Sequence, residues 1–161
     1  MKSHLLFEIV FVVLSIFGCG SPDNGWKEDS KRVKMEVRNT LNKYYEEINR
    51  EGFLAEFKYL DSSSMFSWHP PGYQSAISFD SVKTILLQNV KRYTNVQLTW
   101  VTLAIFPESK MKANYMGKIK SILTDTTGKS TTYYLTEEGQ MTKKEDGWKL
   151  VSGRTVMLGN Y

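Results

Sequence analysis

The sequence contains few cysteine or histidine residues, the types that most often bind metals or act in redox and nucleophilic chemistry. The 161 residues include one cysteine, Cys19, and two histidines, His4 and His69. A lone cysteine cannot form an internal disulfide bond, and the sequence contains neither a CxxC pair nor a glycine-rich phosphate loop. Because His69 is the one histidine beyond residue 18, a histidine-based metal site would lack ligands. We therefore predict no metal and no cofactor.

The segment before Cys19 indicates how this thiol is used. Lys2 is followed by an apolar run over residues 5–17, interrupted by Glu8, and the run ends in Gly18 and Cys19. Its length is typical of a secretory signal peptide and falls short of the roughly 20 apolar residues that a spanning helix needs. A small residue followed by cysteine resembles the lipobox of bacterial lipoproteins, although Phe17 is bulkier than the residue usual there.

The lipobox resemblance implies a processed and anchored protein. In that family the signal is cut before the cysteine, and the thiol receives a diacylglyceryl group bearing fatty acids such as palmitate. We expect a signal peptide over residues 1–18, the lipidated Cys19 and a flexible polar tether over 19–28, and one folded domain over 29–161. The protein would lie in the bacterial cell envelope, either periplasmic or surface-exposed. The alternative is an ordinary signal peptide with a chance cysteine.

The charge pattern argues against a nucleic-acid partner. The chain carries 21 Lys and Arg against 17 Asp and Glu, a formal net charge of +4. Basic and acidic residues alternate over 27–50, and Lys143 and Lys144 are followed directly by Glu145 and Asp146. Interspersed charges of this kind predict solvated surfaces rather than a phosphate-binding patch. We expect no binding to nucleic acid.

Hydrophobic spacing predicts helices first and strands afterwards. A helical stripe predicts a long amphipathic helix over residues 29–49. A short helix over 53–60, a hairpin of 65–69 with 73–77, and a helix over 81–93 capped around Ser78 follow. Four strand-like segments then alternate with turns, over 95–106, 110–124, 129–143 and 148–158. We predict an α+β domain with three helices packed on a strongly curved, mostly antiparallel sheet.

The order of these elements resembles the nuclear transport factor 2-like superfamily, which includes SnoaL-like proteins. Three strings carry the resemblance: residues 44–49 (YYEEIN) running into Gly52, residues 66–72 (FSWHPPG), and residues 146–151 (DGWKLV). In that family the fold is a cone whose open end forms a pocket between sheet and helices. Its members include ketosteroid isomerases, cyclases, dehydratases and non-catalytic binding or dimerisation domains.

The resemblance to the isomerases implies candidate site residues. Their oxyanion-hole tyrosine corresponds to Tyr44 and their carboxylate base to His69, where an imidazole could move a proton near neutral pH. Their neutral carboxylic acid falls near Gln140, and glutamine cannot replace it. Glu137 and Glu138, neighbours on a strand, should face opposite sides and so form no facing pair. Tyr44 also fits a core position, and His69 beside two prolines also fits a rim histidine.

Three functions remain open from the sequence. We favour a membrane-anchored domain whose conical pocket binds a small apolar or amphipathic molecule without catalysis. Its pocket would include Trp68, Tyr73, Trp100 and Gln140. The second is an isomerase-, cyclase- or dehydratase-like enzyme with His69 as base and Tyr44 as hydrogen-bond donor. The third is a dimerisation or scaffold domain that forms a homodimer through the outer sheet face, supplied by outward-pointing residues such as Val101, Leu103 and Ile105.

Overall fold

The computed structural model of the chain describes residues 23–160. The predicted signal peptide and Cys19 lie outside the described residues. No helix within residues 23–160 combines the length and the apolar character that crossing a membrane requires.

The first helix, α1, spans Asp23–Glu51. Its core face is the predicted stripe, and each of these side chains is buried: Val33, Val37, Leu41, Tyr44 and Ile48. The helix starts six residues before the predicted residue 29, so most of the predicted tether over 19–28 is helical. Near the start of α1, Asp29 accepts a hydrogen bond from Arg32 at 2.6 Å and pairs with Lys110 at 2.8 Å.

The segment after α1 forms short elements that close one side of the sheet. Gly52, with φ of 84°, ends α1, and a 3₁₀ helix follows over Phe53–Lys58. Strand β1 covers Ser67–His69, and its predicted return strand is reduced to a single bridge between Trp68 and Ile77. Helix α2 spans Phe79–Arg92, with the Ser78 side chain accepting a hydrogen bond from the Ser81 amide as the predicted cap.

Four long strands build the sheet. They are β2 (Tyr93–Ser109), β3 (Lys112–Asp125), β4 (Ser130–Lys144) and β5 (Gly147–Asn160). The strand order is β1-β5-β4-β3-β2, with β1 parallel to β5 and every other pair antiparallel. The predicted α+β class with a mostly antiparallel sheet is therefore confirmed. The predicted 65–69 and 73–77 hairpin is reduced to the antiparallel Trp68–Ile77 bridge, and β1 also pairs with the distant β5, which was not predicted.

The sheet has a closed end and an open end. At the closed end lie the β2–β3 and β4–β5 turns, and the inward side chains Ala113, Tyr115 and Met141 are at most 1% exposed. At the open end, where β2 and β4 begin and β3 and β5 finish, three inward leucines are only partly buried: Leu98, Leu123 and Leu135. Val96, which pairs with Leu123 there, is buried. The interior is thus sealed at one end and more accessible at the other.

The inner and outer faces of β2 differ from the predicted arrangement. Ile105 is buried and Leu103 packs against the core, so both point inward, whereas Val101 is exposed. A register shift between Trp100 and Thr102 interrupts the alternation of β2, which is why the three residues do not share a face. The proposed outer surface cannot be built from Leu103 and Ile105.

Candidate functional site

Two carboxyl groups lie inside the molecule behind the open end. Glu137 projects inward from β4, two residues from Leu135, and is 9% exposed. Glu56 comes from the 3₁₀ helix; the residue is partly exposed, but its carboxyl group is enclosed by protein. Burial disfavours the ionised form of a carboxyl group, so two interior carboxyl groups require hydrogen-bond partners or must be protonated.

Tyrosine hydroxyls stabilise Glu137. The Tyr115 hydroxyl donates a hydrogen bond to Glu137 Oε1 at 2.7 Å, and Tyr45 forms a second hydrogen bond with the same carboxyl group. Burial raises the pKa of Glu137 to about 7; the tyrosine hydrogen bonds lower it in part, and the charge of Glu56 raises it further. Near neutral pH this group can therefore either donate or accept a proton.

Glu56 is held in the same manner. Burial raises the pKa of Glu56 to about 7, and a hydrogen bond from Tyr44 offsets part of that rise. Among the described residues, no lysine, arginine or histidine contributes to the pKa of either Glu56 or Glu137. The two carboxyl groups therefore share a site without a cation, and the charge of Glu56 hinders ionisation of Glu137.

Aromatic rings enclose the two carboxyl groups. Trp100 stacks on Tyr45 with ring centroids 4.5 Å apart and meets Tyr115 edge-on at 6.0 Å. Tyr44 packs between Tyr45 at 5.2 Å and Tyr59 at 5.0 Å. Burial, followed by the neighbouring carboxyl groups, raises the pKa of Tyr44, Tyr45 and Tyr115 well above the usual value. The three tyrosines therefore stay protonated and act as hydrogen-bond donors.

One polar atom in this cluster is unsatisfied. The Nε1 atom of Trp100 is buried and has no hydrogen-bond partner among the described residues. Leaving a buried N–H unpaired costs about 1–3 kcal/mol. The indole N–H is thus free to donate to a molecule or water that enters beside Tyr45 and Tyr115.

The open end also presents a cavity of about 480 Å³. It lies between the end of α1, the 3₁₀ helix and the start of β2, and its lining includes Asn49, Phe53, Tyr93 and Val96. The Asn49 amide is fixed there, because its Nδ2 donates to Leu98 O at 2.9 Å and its Oδ1 accepts from the Leu98 amide at 2.6 Å. A volume of this size suits a small organic molecule.

The structure separates the residues that were predicted to act together. Tyr44 is 5% exposed and contacts Tyr45, Tyr59 and Glu56 in the interior. His69 instead lines a groove at the β1–β5 edge with Tyr73, where His69 Nε2 lies 2.6 Å from Tyr73 O. The predicted pairing of His69 with Tyr44 in one site is therefore not what the geometry shows.

The predicted pocket residues are likewise divided. Trp100 belongs to the interior cluster, and Trp68 packs against the core beside Gly153. Tyr73 is 49% exposed at the edge groove. Gln140 faces outward, where its Nε2 donates to Asn114 Oδ1 at 3.1 Å, because it alternates with the inward Gly139 and Met141.

Sequence reasoning missed most of the interior site. Glu137 had a usable signal, because it shares the inward phase of β4 with Leu135, Gly139 and Met141, and a carboxylate in an apolar phase is unusual. Glu56 carried no such signal, since a 3₁₀ helix has no long apolar periodicity that would reveal an inward polar residue.

Comparison with known proteins supports the fold. No family model matches the sequence, and no curated protein is detectably similar to it. Among solved structures, a putative scytalone dehydratase from Novosphingobium aromaticivorans superposes with a TM-score of 0.72 at 13% identity, covering 83% of this chain and 90% of that one. A nuclear transport factor 2-like superfamily protein from Salmonella enterica superposes with a TM-score of 0.63 at 17% identity, covering 78% and 90%. The chain has the nuclear transport factor 2-like fold.

A third structural neighbour is an enzyme of a different kind. A hexachlorocyclohexane dehydrochlorinase, LinA type 2, superposes with a TM-score of 0.66 at 11% identity, covering 84% of this chain and 91% of that one. At these identities the similarity establishes the fold alone, because this fold carries both enzymes and non-catalytic domains.

Proposed function

We propose that this protein is a lipid-anchored envelope protein whose conical domain binds a small molecule at the open end of its interior. The observation that carries the proposal is the cluster of Glu56 and Glu137, two enclosed carboxyl groups held by tyrosines and lacking a cation among the described residues. Burying two carboxyl groups without a cation lowers the stability of the folded protein. Destabilising clusters of this kind are typical of functional sites, which favours a ligand-binding role.

The chemistry of the site defines the class of ligand. The Trp100 N–H is an unused donor, and the carboxyl groups accept hydrogen bonds or, when protonated, donate them. The tyrosine hydroxyls already donate to the carboxyl groups, so they can accept from a ligand. The aromatic rings and the partly buried leucines of the open end supply apolar surface. We expect an uncharged or amphipathic molecule that combines an apolar body with a carbonyl or hydroxyl group.

Ligand retention tests the binding proposal. A soluble chain covering residues 20–161 would be exposed to extract of its own cells and examined by native mass spectrometry. We expect a small molecule to remain bound, to be lost in Glu137→Gln, and to be retained in Glu138→Gln, whose side chain lies on the opposite face of β4. A wild-type chain that emerges bare from every extract would contradict the proposal.

Acid–base catalysis is the second candidate function, and the raised pKa values favour it. Carboxyl groups with a pKa of about 7 suit proton transfer at neutral pH, and the structural neighbours include a dehydrochlorinase. In this alternative Glu56 or Glu137, rather than His69, moves the proton and Tyr44, Tyr45 or Tyr115 stabilises the developing negative charge. Turnover of the retained molecule, abolished by Glu56→Gln, would select catalysis over binding.

The membrane anchor has its own test. We propose that Cys19 is the mature N-terminus and carries the acyl chains, on the resemblance of residues 14–19 to a lipobox. Mass spectrometry of the N-terminal peptide from bacterial membranes should show acylated Cys19. An uncut chain that begins at Met1 and carries no lipid would refute the anchor and leave the pocket proposal standing.

A further inference from the structure

The start of α1 determines which end of the domain lies nearest the proposed anchor. α1 begins at Asp23, four residues after Cys19. Four residues reach at most about 14 Å even when fully extended. We propose that the closed end of the sheet rests on the bilayer surface in the anchored protein, with the open end directed away from it. This inference rests on the proposed lipidation of Cys19.

The direction of α1 supports this orientation. The helix runs from the closed end to the open end, antiparallel to β2. Near its start Asp29 pairs with Lys110 in the β2–β3 turn at 2.8 Å, and near its end Asn49 donates to Leu98 O at 2.9 Å. Between Asp29 and Asn49 an α-helix rises about 30 Å. The β2–β3 turn is therefore held close to the anchor and the open end far from it.

The closed end carries side chains that suit a bilayer surface. Three exposed apolar residues lie there: Trp26 at 37%, Met35 at 59% and Met111 at 51%. Tryptophan is well suited to the interface between lipid headgroups and acyl chains. Residues 26–36, 108–112 and 143–146 make up this end and include eight basic and six acidic side chains. That excess favours anionic headgroups.

This orientation determines how the interior site is reached. With the closed end on the membrane, the cavity beside Asn49 and Phe53 at the open end faces the aqueous compartment. The bound molecule is then taken from solution rather than directly from the bilayer. A domain lying on its side would instead bring the outer face of α1 or the sheet to the lipid.

Site-directed spin labelling of the full anchored chain tests the orientation. Met111→Cys and Thr126→Cys place labels in exposed turns at the closed end and the open end. Each protein would be purified with its acyl chains and inserted into vesicles of equal parts phosphatidylcholine and phosphatidylglycerol. We expect a water-soluble nickel chelate to reach the label at 111 several-fold less than the label at 126, and oxygen to reach it more.

The wild-type chain is the control for the anchor. If Cys19 is acylated, its thiol is blocked and the wild-type chain takes up no label; labelling would overturn the anchor and, with it, the orientation. If the anchor is present but the label at 126 is equally or more shielded than the label at 111, the orientation alone is overturned. Replacing Trp26→Ser should raise access of the chelate to the label at 111 if this end touches the lipid.

Discussion

At the scale of single residues, the unusual feature of this protein is that it keeps two carboxyl groups in its interior without a balancing cation among residues 23–160. Glu137 accepts from Tyr115 at 2.7 Å, and Glu56 interacts with Tyr44. Hydrogen bonds from neutral hydroxyls offset only part of the cost of burial, which is why the pKa of each carboxyl group is raised to about 7. Protonation should therefore stabilise the fold.

The raised pKa of Glu137 predicts a stability that falls as pH rises. In the folded state the pKa of Glu137 is about 7, whereas the usual value for a glutamate side chain is 4.5. Between those values the folded state holds more protons than the unfolded state, so the free energy of unfolding declines with rising pH. Glu137→Gln should reduce that decline, measured by urea unfolding at about pH 5 and about pH 8, by roughly 2–3 kcal/mol.

The matched control for this measurement is Glu138→Gln. Glu138 is the next residue on β4, faces outward and pairs with Arg154 at 2.7 Å. Its replacement should leave the decline between the two pH values unchanged. Equal effects of the two variants would show that Glu137 keeps an ordinary pKa and that the interior pair has no special role.

At the scale of secondary-structure elements, three inward glycines make room for aromatic rings. A Cβ at Gly117 would collide with Trp100 and the backbone of β2, and one at Gly139 would lie 2.8 Å from the Tyr115 ring. A Cβ at Gly153 would collide with Glu138 O and with Trp68. Glycines on neighbouring strands thus allow the large rings of the candidate site to lie flat against the sheet.

Gly153→Ala should be strongly destabilising. The clash with Glu138 O involves backbone and cannot be relieved by a side-chain rotation. We expect a loss of about 2–3 kcal/mol in the free energy of unfolding, measured by chemical denaturation. Gly25→Ala, at an exposed position of α1 with nothing within 4 Å of the added Cβ, should be neutral or stabilising by about 1 kcal/mol. Comparable losses in both variants would refute the packing argument.

The helix and the sheet are joined by one amide at the open end. Asn49 of α1 exchanges two hydrogen bonds with the backbone of Leu98 on β2, at 2.9 and 2.6 Å. Asn49→Ala should cost about 1–2 kcal/mol and increase amide hydrogen exchange at Leu98, because both bonds are lost together. Asn42→Ala, exposed on the same helix, should change neither quantity.

Local patterns predicted the long elements well and the non-local contacts poorly. The stripe from Val33 to Ile48 and the Ser78 cap were recognised because they depend on residues within a few positions of each other. The parallel pairing of β1 with β5 was missed, since it joins Ser67 to Ser152 across the chain and leaves no local signature. The polar residues at the start of α1 resemble a tether in sequence, because Trp26 alone among residues 23–28 is apolar and forms no helical stripe.

At the scale of the whole molecule, the outer sheet face remains partly apolar. Four outward side chains are about half exposed: Phe106 at 54%, Met116 at 52%, Val156 at 46% and Leu158 at 54%. The first two lie on β2 and β3, and the last two lie on β5, with the Glu138–Arg154 ion pair between them. In a two-fold dimer the same surface patch of each copy meets the other. Apolar groups on both sides of a polar centre can match themselves in this way, so we propose that this face forms a homodimer.

An anchored homodimer has a restricted geometry. Both copies of Cys19 must reach one bilayer, and each lies four residues from the start of α1 at the closed end. The two-fold axis must then run roughly along the strands, from the closed end to the open end, so that both closed ends face the same surface. A perpendicular axis that reversed one copy would lift its anchor about 30 Å from the membrane.

Disruption of the outer face tests the homodimer. Phe106→Glu places a charge among the exposed apolar side chains and should convert a dimer to a monomer in sedimentation velocity measurements of residues 20–161, because burying an unpaired carboxylate in an interface is costly. Met65→Glu is the matched control, since Met65 is 81% exposed and precedes β1 outside the sheet. A wild-type chain that sediments as a monomer at high concentration would contradict the homodimer. A dimer unaffected by Phe106→Glu would place the interface elsewhere.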